Sequence, residues 1–331
     1  MGFSSFIGNT NIVDRLRRKL SERRFPHALI LAGPEGVGKH TLATMVAKAL
    51  NCTVAGPDDF CDTCPNCRKI NSGTHPDVLS VTIEEEATQI KIEQVRRLLE
   101  VLELQPLEAE NKIFIIDPAN FLNAVAANAL LKGLEEPPAH TFFILIAVNL
   151  HELLLTIRSR SQIYHFAPLA LAEIRNHGVT DELAVRWSQG SVGKALNLDL
   201  NAIKKSREQV LEFFETAVHA TDETLRNMLH ASAELSRNRP DFAEYLSVMA
   251  VLLGDILYIS EGITERIVNV DIQQRVERVA AMAPTERWIA VGEFLRLMES
   301  SLKTHVNRQM LMDSMALAAA EISNDIPAKS R

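Results

Sequence analysis

Apolar residues fall into two patterns along this chain: short, nearly continuous runs in the first half and longer helical patterns in the second. The short runs occupy residues 28–32, 77–83, 112–117, 141–148 and 161–166. Runs of this kind are typical of strands buried on both faces of a parallel sheet. Helical patterns lie between them at 92–104 and 123–136, and Pro137 and Pro138 end the second. The alternation predicts a doubly wound α/β domain over residues 1–166.

After Phe166 the strand pattern stops, and the remaining sequence predicts only helices. Residues 167–201 form a short helical pattern, which we interpret as a small helical domain. Residues 202–331 contain longer amphipathic helices, with breaks near Thr221, Pro240, Gly262 and Pro284. A chain of 331 residues agrees with this division into three domains, because a single core rarely grows beyond about 250–300 residues.

Composition and charge narrow the function classes. Hydrophobic residues make up 47% of the chain and charged residues 23%, which indicates an ordinary globular protein. The net charge of −7 opposes independent binding to DNA, so any nucleic-acid contact needs a local patch or a partner. The sequence contains neither a signal-like start nor an apolar run of about 20 residues. We therefore expect a cytoplasmic protein without a membrane partner.

All four cysteines of the chain lie within sixteen residues, with the spacing C-x8-C-x2-C-x2-C: Cys52, Cys61, Cys64 and Cys67. In a cytosolic protein, clustered thiols are more often metal ligands than disulfides. Four thiolates around Zn²⁺ form a closed structural site with no open position for catalysis. An iron–sulfur cluster and four reduced cysteines without metal are the alternatives. The spacing favours a zinc module at residues 52–67.

The stretch GPEGVGKHT follows the first apolar run and precedes a helical pattern, as a phosphate-binding loop does. It supplies the glycines and the lysine of the pattern G-x-x-x-x-G-K-[ST]: Gly33, Gly36, Gly38 and Lys39. His40 occupies the position of the hydroxyl that holds Mg²⁺, and Thr41 comes one residue later. Mg²⁺ prefers oxygen ligands, so His40 is a poor substitute.

A working ATPase also needs acidic residues at the end of a second strand, one for Mg²⁺ and one to orient the attacking water. The stretch KIFIIDPAN offers Asp117 but lacks the expected glutamate. We therefore expect no ATP hydrolysis at this site, while bound ATP or ADP stays an open alternative to an empty loop. Arg158 and Arg160 in TIRSRSQ are either solvated or a fork that acts on a phosphoryl group in a neighbouring subunit.

Several of these stretches, taken in order, resemble the bacterial DNA polymerase III clamp-loader subunits of the AAA+ class, the delta-prime and gamma/tau family. They are HALILAGPEGVGK, the cysteine cluster with SGTHPDV after it, KIFIIDPANFLNAVAANALLKGLEEPP, IRSRS and GSVGKALNL. They span residues 26–198 in the order of the family. NRQMLMDSMALAAAEI, near the end of the chain, resembles the last helix of the collar.

The resemblance implies an AAA+ domain with five parallel strands and an inserted zinc module, a helical lid, and a collar that forms a hetero-oligomer. It implies a ring that opens a sliding clamp with ATP bound between subunits. The implied partners are gamma/tau ATPase subunits, the delta subunit, the clamp and, through the assembled complex, primer-template DNA. Arg160 falls on the family's arginine finger, which reaches the ATP of the next subunit, and Ser161 replaces the usual Cys.

Three departures from the gamma/tau pattern point to the delta-prime branch, which supplies a finger but does not hydrolyse ATP. They are His40 in the loop, DPAN in place of an acidic pair, and Gly193, beside Lys194, where a sensor arginine is usual. The expected role is a subunit of the polymerase III holoenzyme without catalysis of its own. An active gamma/tau-like ATPase and a zinc-containing nucleic-acid-binding protein are the alternatives.

Overall fold

The computed structural model describes residues 2–84, 87, 89–218, 239–301, 309–311, 313 and 314. These residues form two compact units, which are described separately. The first comprises Met1–Val179 and Ser188–Leu196, and the second comprises Thr180–Trp187 and Asn197–Arg331.

A parallel sheet of five strands forms the centre of the first unit. Its strands are β1 (Ala28–Ala32), β2 (Val78–Val81), β3 (Lys112–Ile116), β4 (Thr141–Ala147) and β5 (Gln162–His165). Their order in the sheet is β2-β3-β4-β1-β5, and every neighbouring pair is parallel. β1 lies between β4 and β5, with Leu31 opposite Ile146 on one side and Tyr164 on the other. The predicted α/β fold and its five strands are confirmed.

Helices cover both faces of this sheet, because the strands are apolar on both sides. The helices of this unit are α1 (Thr10–Ser21), α2 (Lys39–Asn51), α3 (Pro65–Asn71), α4 (Ile92–Leu102), α5 (Ala124–Glu135), α6 (Leu155–Arg158), α7 (Leu171–Asn176) and, as far as Leu196, α9 (Val192–Asn197). Short 3-10 helices occupy Phe3–Ser5, Ala119–Phe121 and Leu150–Glu152. One core contains apolar residues of α1 and α2, and the other contains those of α4 and α5. The helices predicted at 92–104 and 123–136 correspond to α4 and α5.

The described residues of the second unit form helices and connecting turns. Its helices are α8 (Glu182–Trp187), α10 (Leu200–Val218), α11 (Arg239–Ser260), α12 (Gln273–Ala280) and α13 (Thr285–Ser301), with 3-10 turns at Thr264–Arg266 and Val270–Ile272. Phe214 and Trp288 meet edge to face in its core, with ring centroids 5.5 Å apart. Contrary to the expectation that no apolar run reaches this length, one stretch within the described residues, Phe242–Ser260, is long and apolar enough to cross a membrane, but 56% of it is buried in this protein core.

Helix boundaries in the second unit agree with the predicted breaks at three positions. α11 begins beside Pro240, α11 ends just before Gly262, and α13 begins after Pro284. The break at Thr221 and most of the predicted last collar helix lie outside the described residues. Residues 167–201, predicted as a lid, contain α7, α8 and α9 and contribute to both units. The division into three domains stays a prediction.

Asp77 fixes the segment that leads into β3. Its side chain is 1% exposed and accepts backbone hydrogen bonds from Leu107, Glu108 and Ala109 at 2.7, 2.8 and 2.9 Å. Burial alone would raise the pKa of this carboxyl, but the three hydrogen bonds to the charged form hold the pKa below its usual value. One buried carboxylate therefore anchors a loop of the sheet unit.

Replacing this carboxylate tests its role. We expect Asp77→Ala to lower the free energy of unfolding by about 2–4 kcal/mol, because buried N–H groups lose their acceptor. Urea denaturation of the full chain measures the difference. Glu110→Ala, on the same segment but exposed, is the matched control. Equal stability of the two variants would show that water replaces the carboxylate at no cost.

Candidate functional site

The phosphate-binding loop connects the end of β1 to the start of α2, as its sequence predicts. Its glycines adopt backbone φ angles of 151° at Gly33, 72° at Gly36 and 90° at Gly38. A Cβ at Gly33 would lie 2.6 Å from the carbonyl oxygen of Phe166, and one at Gly36 would lie 2.2 Å from Ser191 Oγ. Both the backbone angles and the packing therefore require glycine here.

Lys39 is the first residue of α2, and its side chain turns back onto its own loop. The residue is 6% exposed, and Nζ donates hydrogen bonds to the carbonyl oxygens of Gly33 at 2.6 Å and Pro34 at 2.5 Å. Burial lowers the pKa of this amine, and the nearby carboxylates of Asp117 and Glu35 oppose the shift. The ammonium that would face a nucleotide phosphate is thus held by neutral oxygens.

His40 contacts Asp117, which lies directly after β3. The distance from His40 Nδ1 to Asp117 Oδ2 is 2.9 Å, and the two side chains are 54% and 27% exposed. This hydrogen bond is the main reason why the pKa of His40 is raised above its usual value. The imidazole therefore covers one oxygen of the carboxylate that the sequence assigns to the nucleotide site.

These residues do not fit a Mg²⁺ ion. Mg²⁺ needs nearly octahedral oxygen coordination, and the loop offers an imidazole where a hydroxyl is usual. Asp117 gives one oxygen to His40. Asn120, which follows in the stretch DPAN, donates from Nδ2 to Glu152 Oε2 at 2.9 Å, so its amide is engaged with the 3-10 turn after β4.

An apolar cavity of about 210 Å³ lies beside the loop, entirely within the first unit. It is lined mainly by the N-terminal segment, the loop and α9, including Phe6, Ile7, Val37, Met45, Leu169 and Val192. Thr41 and Gly193 also line it. Apolar pockets with a few polar groups at one end are the usual sites of cofactors and ligands, so this cavity is the candidate for a nucleotide base.

Ser191 joins α9 to the loop, a contact that the sequence analysis does not predict. Its Oγ donates to the carbonyl oxygen of Gly36 at 2.8 Å and accepts the backbone N–H of Lys194 at 3.0 Å. The stretch GSVGKAL drew attention to Gly193 and Lys194 only. A serine one residue before a short helix is a typical N-cap, and this was the available signal.

Arg160 lies between α6 and β5, at the opposite edge of the sheet from the loop. Its Nη2 lies 2.7 Å from Glu135 Oε1, and its Nη1 donates to the carbonyl oxygen of Thr156 at 3.0 Å and to Ser159 Oγ at 3.3 Å. The side chain is 35% exposed. These contacts hold the guanidinium at the end of α5, and none of them involves the phosphate loop of the same chain.

Glu135 is therefore a second residue that the sequence did not single out, because GLEEPP was interpreted only as a helix end. Arg158, the other arginine of the pair, differs from Arg160. Its Nε is buried and has no hydrogen-bond partner among the described residues. The guanidinium of Arg160, in contrast, is hydrogen-bonded to Thr156 and Ser159 and paired with Glu135.

The four cysteines come together as predicted, and none forms a disulfide. Their sulfur atoms all lie within 4.8 Å of one another. Tetrahedral Zn–S bonds of 2.3 Å place sulfur atoms about 3.8 Å apart, so the cluster needs little adjustment to hold such an ion. Cys64 and Cys67 are buried, and Cys64 also caps the N-terminus of α3.

Backbone N–H groups surround the sulfurs, as expected for thiolate ligands. The contacts are Ala55 N to Cys52 Sγ at 3.3 Å, Thr63 N to Cys61 Sγ at 3.4 Å, Cys64 N to Cys61 Sγ at 3.3 Å and Cys67 N to Cys64 Sγ at 3.4 Å. Hydrogen bonds from the side chain and backbone of Thr63 and from the backbone of Cys64 lower the pKa of Cys61 to about 6, whereas burial raises the pKa of Cys67. The donor set therefore suits a metal ion that binds thiolates.

Comparison with known protein families gives two matches that together cover most of the chain. The family model for the DNA polymerase III delta subunit matches residues 8–170. The model for the C terminal of the same subunit matches residues 202–320. The first matched range lies within the sheet unit, and the second lies within the helical unit.

Individual relatives belong to the same replication machinery. DNA polymerase III subunit delta' of Bacillus subtilis is 27% identical over 319 residues, which cover 94% of this chain and 95% of that protein. Subunit tau of Escherichia coli is 31% identical over 252 residues, 72% of this chain but 39% of that protein. The tau subunit of Salmonella typhimurium is 34% identical over 221 residues, which cover 63% of this chain but 34% of that protein. The chain thus spans less than two fifths of these tau relatives.

Solved structures show weaker likeness. A gamma subunit-related protein of Thermotoga maritima is 18% identical, with 94% of this chain and 99% of that chain covered and a TM-score of 0.44. The clamp loader delta protein of Bacillus subtilis is 14% identical, with 93% and 99% covered and a TM-score of 0.35. The family of this chain is therefore assigned from the sequence matches and not from these structures. By these matches, the chain belongs to the family of DNA polymerase III clamp-loader subunits that includes delta' and gamma/tau.

Proposed function

We propose that this chain is a delta-prime-like clamp-loader subunit that does not hydrolyse ATP itself and completes the ATP site of a neighbouring subunit. The observation that carries the proposal is the hydrogen bond between His40 and Asp117 at the place where an ATPase holds Mg²⁺. Support also comes from the delta' relative, which this chain covers along 95% of its length.

Hydrolysis at the chain's own loop would need a metal ion and a residue that orients water. His40 replaces the metal-binding hydroxyl and engages Asp117, and DPAN supplies no glutamate. Gly193 offers no side chain to a bound phosphate. Three replacements around one loop all remove groups that act on the terminal phosphate, which is why we assign the chemistry to another subunit.

Arg160 is the residue that we propose to act in trans. It precedes β5, whose first residue, Gln162, pairs with Leu29 near the start of β1, whereas the loop follows the end of β1. The two features are therefore separated by at least the length of β5, roughly 10 Å. The hydrogen bonds to Glu135 and Thr156 restrict the guanidinium before any partner arrives, which reduces the entropy lost on docking.

In this role the chain acts in the cytoplasm with gamma/tau ATPase subunits and the delta subunit. It helps to load the sliding clamp, and it meets primer-template DNA through the assembled complex. The net charge of −7 supports this indirect contact with DNA. The helical unit, including α10 to α13, is the proposed collar. ATP turnover by the purified chain alone would favour an active ATPase instead.

We also propose that Cys52, Cys61, Cys64 and Cys67 hold one structural Zn²⁺. A closed site with four thiolates is supported by the short distances between the sulfurs and by the N–H groups near them. The burial of Cys64 and Cys67 also supports it. The ion would supply no chemistry. It would replace the hydrophobic core that the segment between α2 and α3 is too short to build.

Removing the Arg160 guanidinium tests the action in trans. We expect Arg160→Ala to slow ATP hydrolysis at the adjoining site by about 10³-fold, the lower range for arginines supplied in trans in GTPases. Rapid-quench turnover in the complex reconstituted with gamma/tau and delta subunits measures this rate. Arg18→Ala, on the exposed face of α1, is the control for loss of one positive charge.

Arg160→Lys extends this test, because lysine keeps the charge and loses the planar fork; we expect most of the rate to be lost here too. Size-exclusion chromatography must show that each variant enters the complex. An unchanged rate in a fully assembled Arg160→Ala complex contradicts the proposal.

The zinc assignment is tested by Cys64→Ser. We expect the wild-type chain to contain one zinc per molecule and the variant to lose it, because three thiolates leave the tetrahedral site open. Elemental analysis of the purified proteins gives the metal content, and hydrogen exchange over residues 52–71 reports the expected local opening. Thr63→Ser in the same loop is the control. Iron in place of zinc, or no metal in the wild type, would refute the assignment.

The contact between His40 and Asp117 predicts a titration. Because the hydrogen bond raises the pKa of His40, the charged pair stabilises the fold at low pH, and this contribution disappears as pH rises through the pKa of the folded state. We expect Asp117→Asn to lower that pKa, as measured by NMR of labelled imidazole. His177, at the end of α7, serves as an internal reference. Identical His40 titrations in both proteins would show that the pair does not form.

A further inference from the structure

A second cavity of the first unit, of about 480 Å³, lies at the edge of the sheet where the strands begin. Its walls include Phe25, which precedes β1, Asn111, which precedes β3, and His140, which precedes β4. The phosphate-binding loop follows β1 and lies at the other edge. We propose that this second cavity binds the C-terminal carboxylate of a partner protein whose last side chain is apolar.

The inner wall of the cavity suits an apolar side chain. Phe25 and Phe142 meet there edge to face, with ring centroids 5.7 Å apart. Leu20 and Ala49, both buried, add aliphatic surface at the ends of α1 and α2. A volume of this size falls in the range of about 300–1,000 Å³ that is usual for ligand sites. The cavity therefore has room for one apolar side chain and the chain end that carries it.

Arg23 lies at the cavity and also ends α1. Its backbone is left-handed, with φ of 52°. Its N–H bonds to the carbonyl oxygen of Leu20 at 3.0 Å, and the N–H of Arg24 bonds to that of Lys19 at 3.0 Å. This is the Schellman pattern, in which glycine is the usual residue at the left-handed position because it has no Cβ. An arginine is less favourable here for stability, so a use of its side chain explains its presence better than its backbone does.

His140 repeats this feature on the other side of the cavity. Its φ is 60°, and its carbonyl oxygen accepts the N–H of Lys112 at 2.7 Å. Two of the five left-handed residues other than glycine that occur among the described residues thus line one cavity. Such backbone positions cluster at binding sites. Within the described part of the chain, neither the guanidinium of Arg23 nor the imidazole of His140 takes part in a hydrogen bond or an ion pair.

These side chains match the groups of a peptide end. A guanidinium binds a carboxylate through two parallel hydrogen bonds, and an imidazole donates one N–H in either neutral tautomer. Glu110, also on the cavity wall, is an acceptor for a backbone N–H of the same peptide. A phosphate group offers no such donor, and a nucleic acid is repelled by Glu110 and by the net charge of −7. A peptide carboxylate is therefore the ligand that uses all three side chains.

Titration of the full chain, labelled with ¹⁵N and observed by NMR, tests the proposal. The probe is the acetylated peptide Gly-Ser-Gly-Ser-Leu, used as the free acid and as the C-terminal amide. We expect the free acid to bind with a Kd below about 1 mM and to shift the backbone signals of Arg23 and His140. The amide should bind at least about tenfold more weakly, because hydrogen bonds to a charged carboxylate are lost. A free acid that ends in Ser should also bind about tenfold more weakly, because it leaves the apolar wall unfilled.

Variants of the two left-handed residues separate binding from folding. Arg23→Gly should weaken binding of the free acid at least about tenfold without lowering the melting temperature, because glycine suits this helix end. Arg23→Lys keeps the charge without the planar fork and should lose less. His140→Asn, which tolerates left-handed backbone, should also weaken binding. Arg278→Ala, on the exposed face of α12, is the control for loss of one positive charge and should behave as the wild type.

The proposal is overturned if the free acid and the amide bind equally, if the free acid does not bind below about 1 mM, or if Arg23→Gly binds it as tightly as the wild type. Shifts that fall outside the cavity also contradict it. None of these measurements depends on ATP, so their failure would leave the proposed action of Arg160 untouched.

Discussion

The parallel register of the central sheet is the constraint on which the arrangement of this molecule depends. Because β1 pairs in parallel with both β4 and β5, every residue that follows a strand lies at one edge and every residue that precedes a strand lies at the other. The loop after β1 and Asp117 after β3 are therefore neighbours. Arg160, before β5, and Glu135, at the end of the helix before β4, are neighbours at the opposite edge. One sheet thus places the phosphate-binding loop and Arg160 at opposite ends of its strands.

The helix α2 connects the loop to the cysteine cluster. It begins at Lys39 and ends at Asn51, whose side chain bonds to the backbone of Asn111 just before β3 through both its amide nitrogen and its oxygen, each at 2.9 Å. Asn66 of α3 donates to the carbonyl oxygen of Asn51 at 2.9 Å. Lys48 bonds to Asp62 between the cysteines at 2.6 Å. The cluster is therefore attached to the sheet by buried polar contacts that fix the far end of the loop's own helix.

The sequence was sufficient for features that depend on local order. Apolar runs identified the five strands, and the spacing of glycines and cysteines identified the loop and the cluster, because these signals lie within a few residues of one another. Contacts between distant segments could not be obtained in this way. His40 and Asp117 are 77 residues apart, Ser191 and Gly36 are 155 apart, and Glu135 meets Arg160 only because two helix ends share an edge of the sheet. Each depends on how the strands are ordered, and a single sequence does not encode that order as a pattern.

Retention of the glycines does not by itself argue for a bound nucleotide. A Cβ at Gly33 or Gly36 would collide with Phe166 or Ser191, and one at Gly38 would lie 3.0 Å from the ring of Phe6. Packing against neighbouring residues of the chain explains all three. Lys39 is different, because an apolar or neutral side chain would satisfy the same space without the cost of burying an ammonium against two carbonyl oxygens. The carboxylates of Asp117 and Glu35 are the groups whose charges favour its ammonium form. Lys39 therefore keeps the residue type of a phosphate-binding lysine, whereas His40 beside it occupies the position of the hydroxyl that would hold the metal ion.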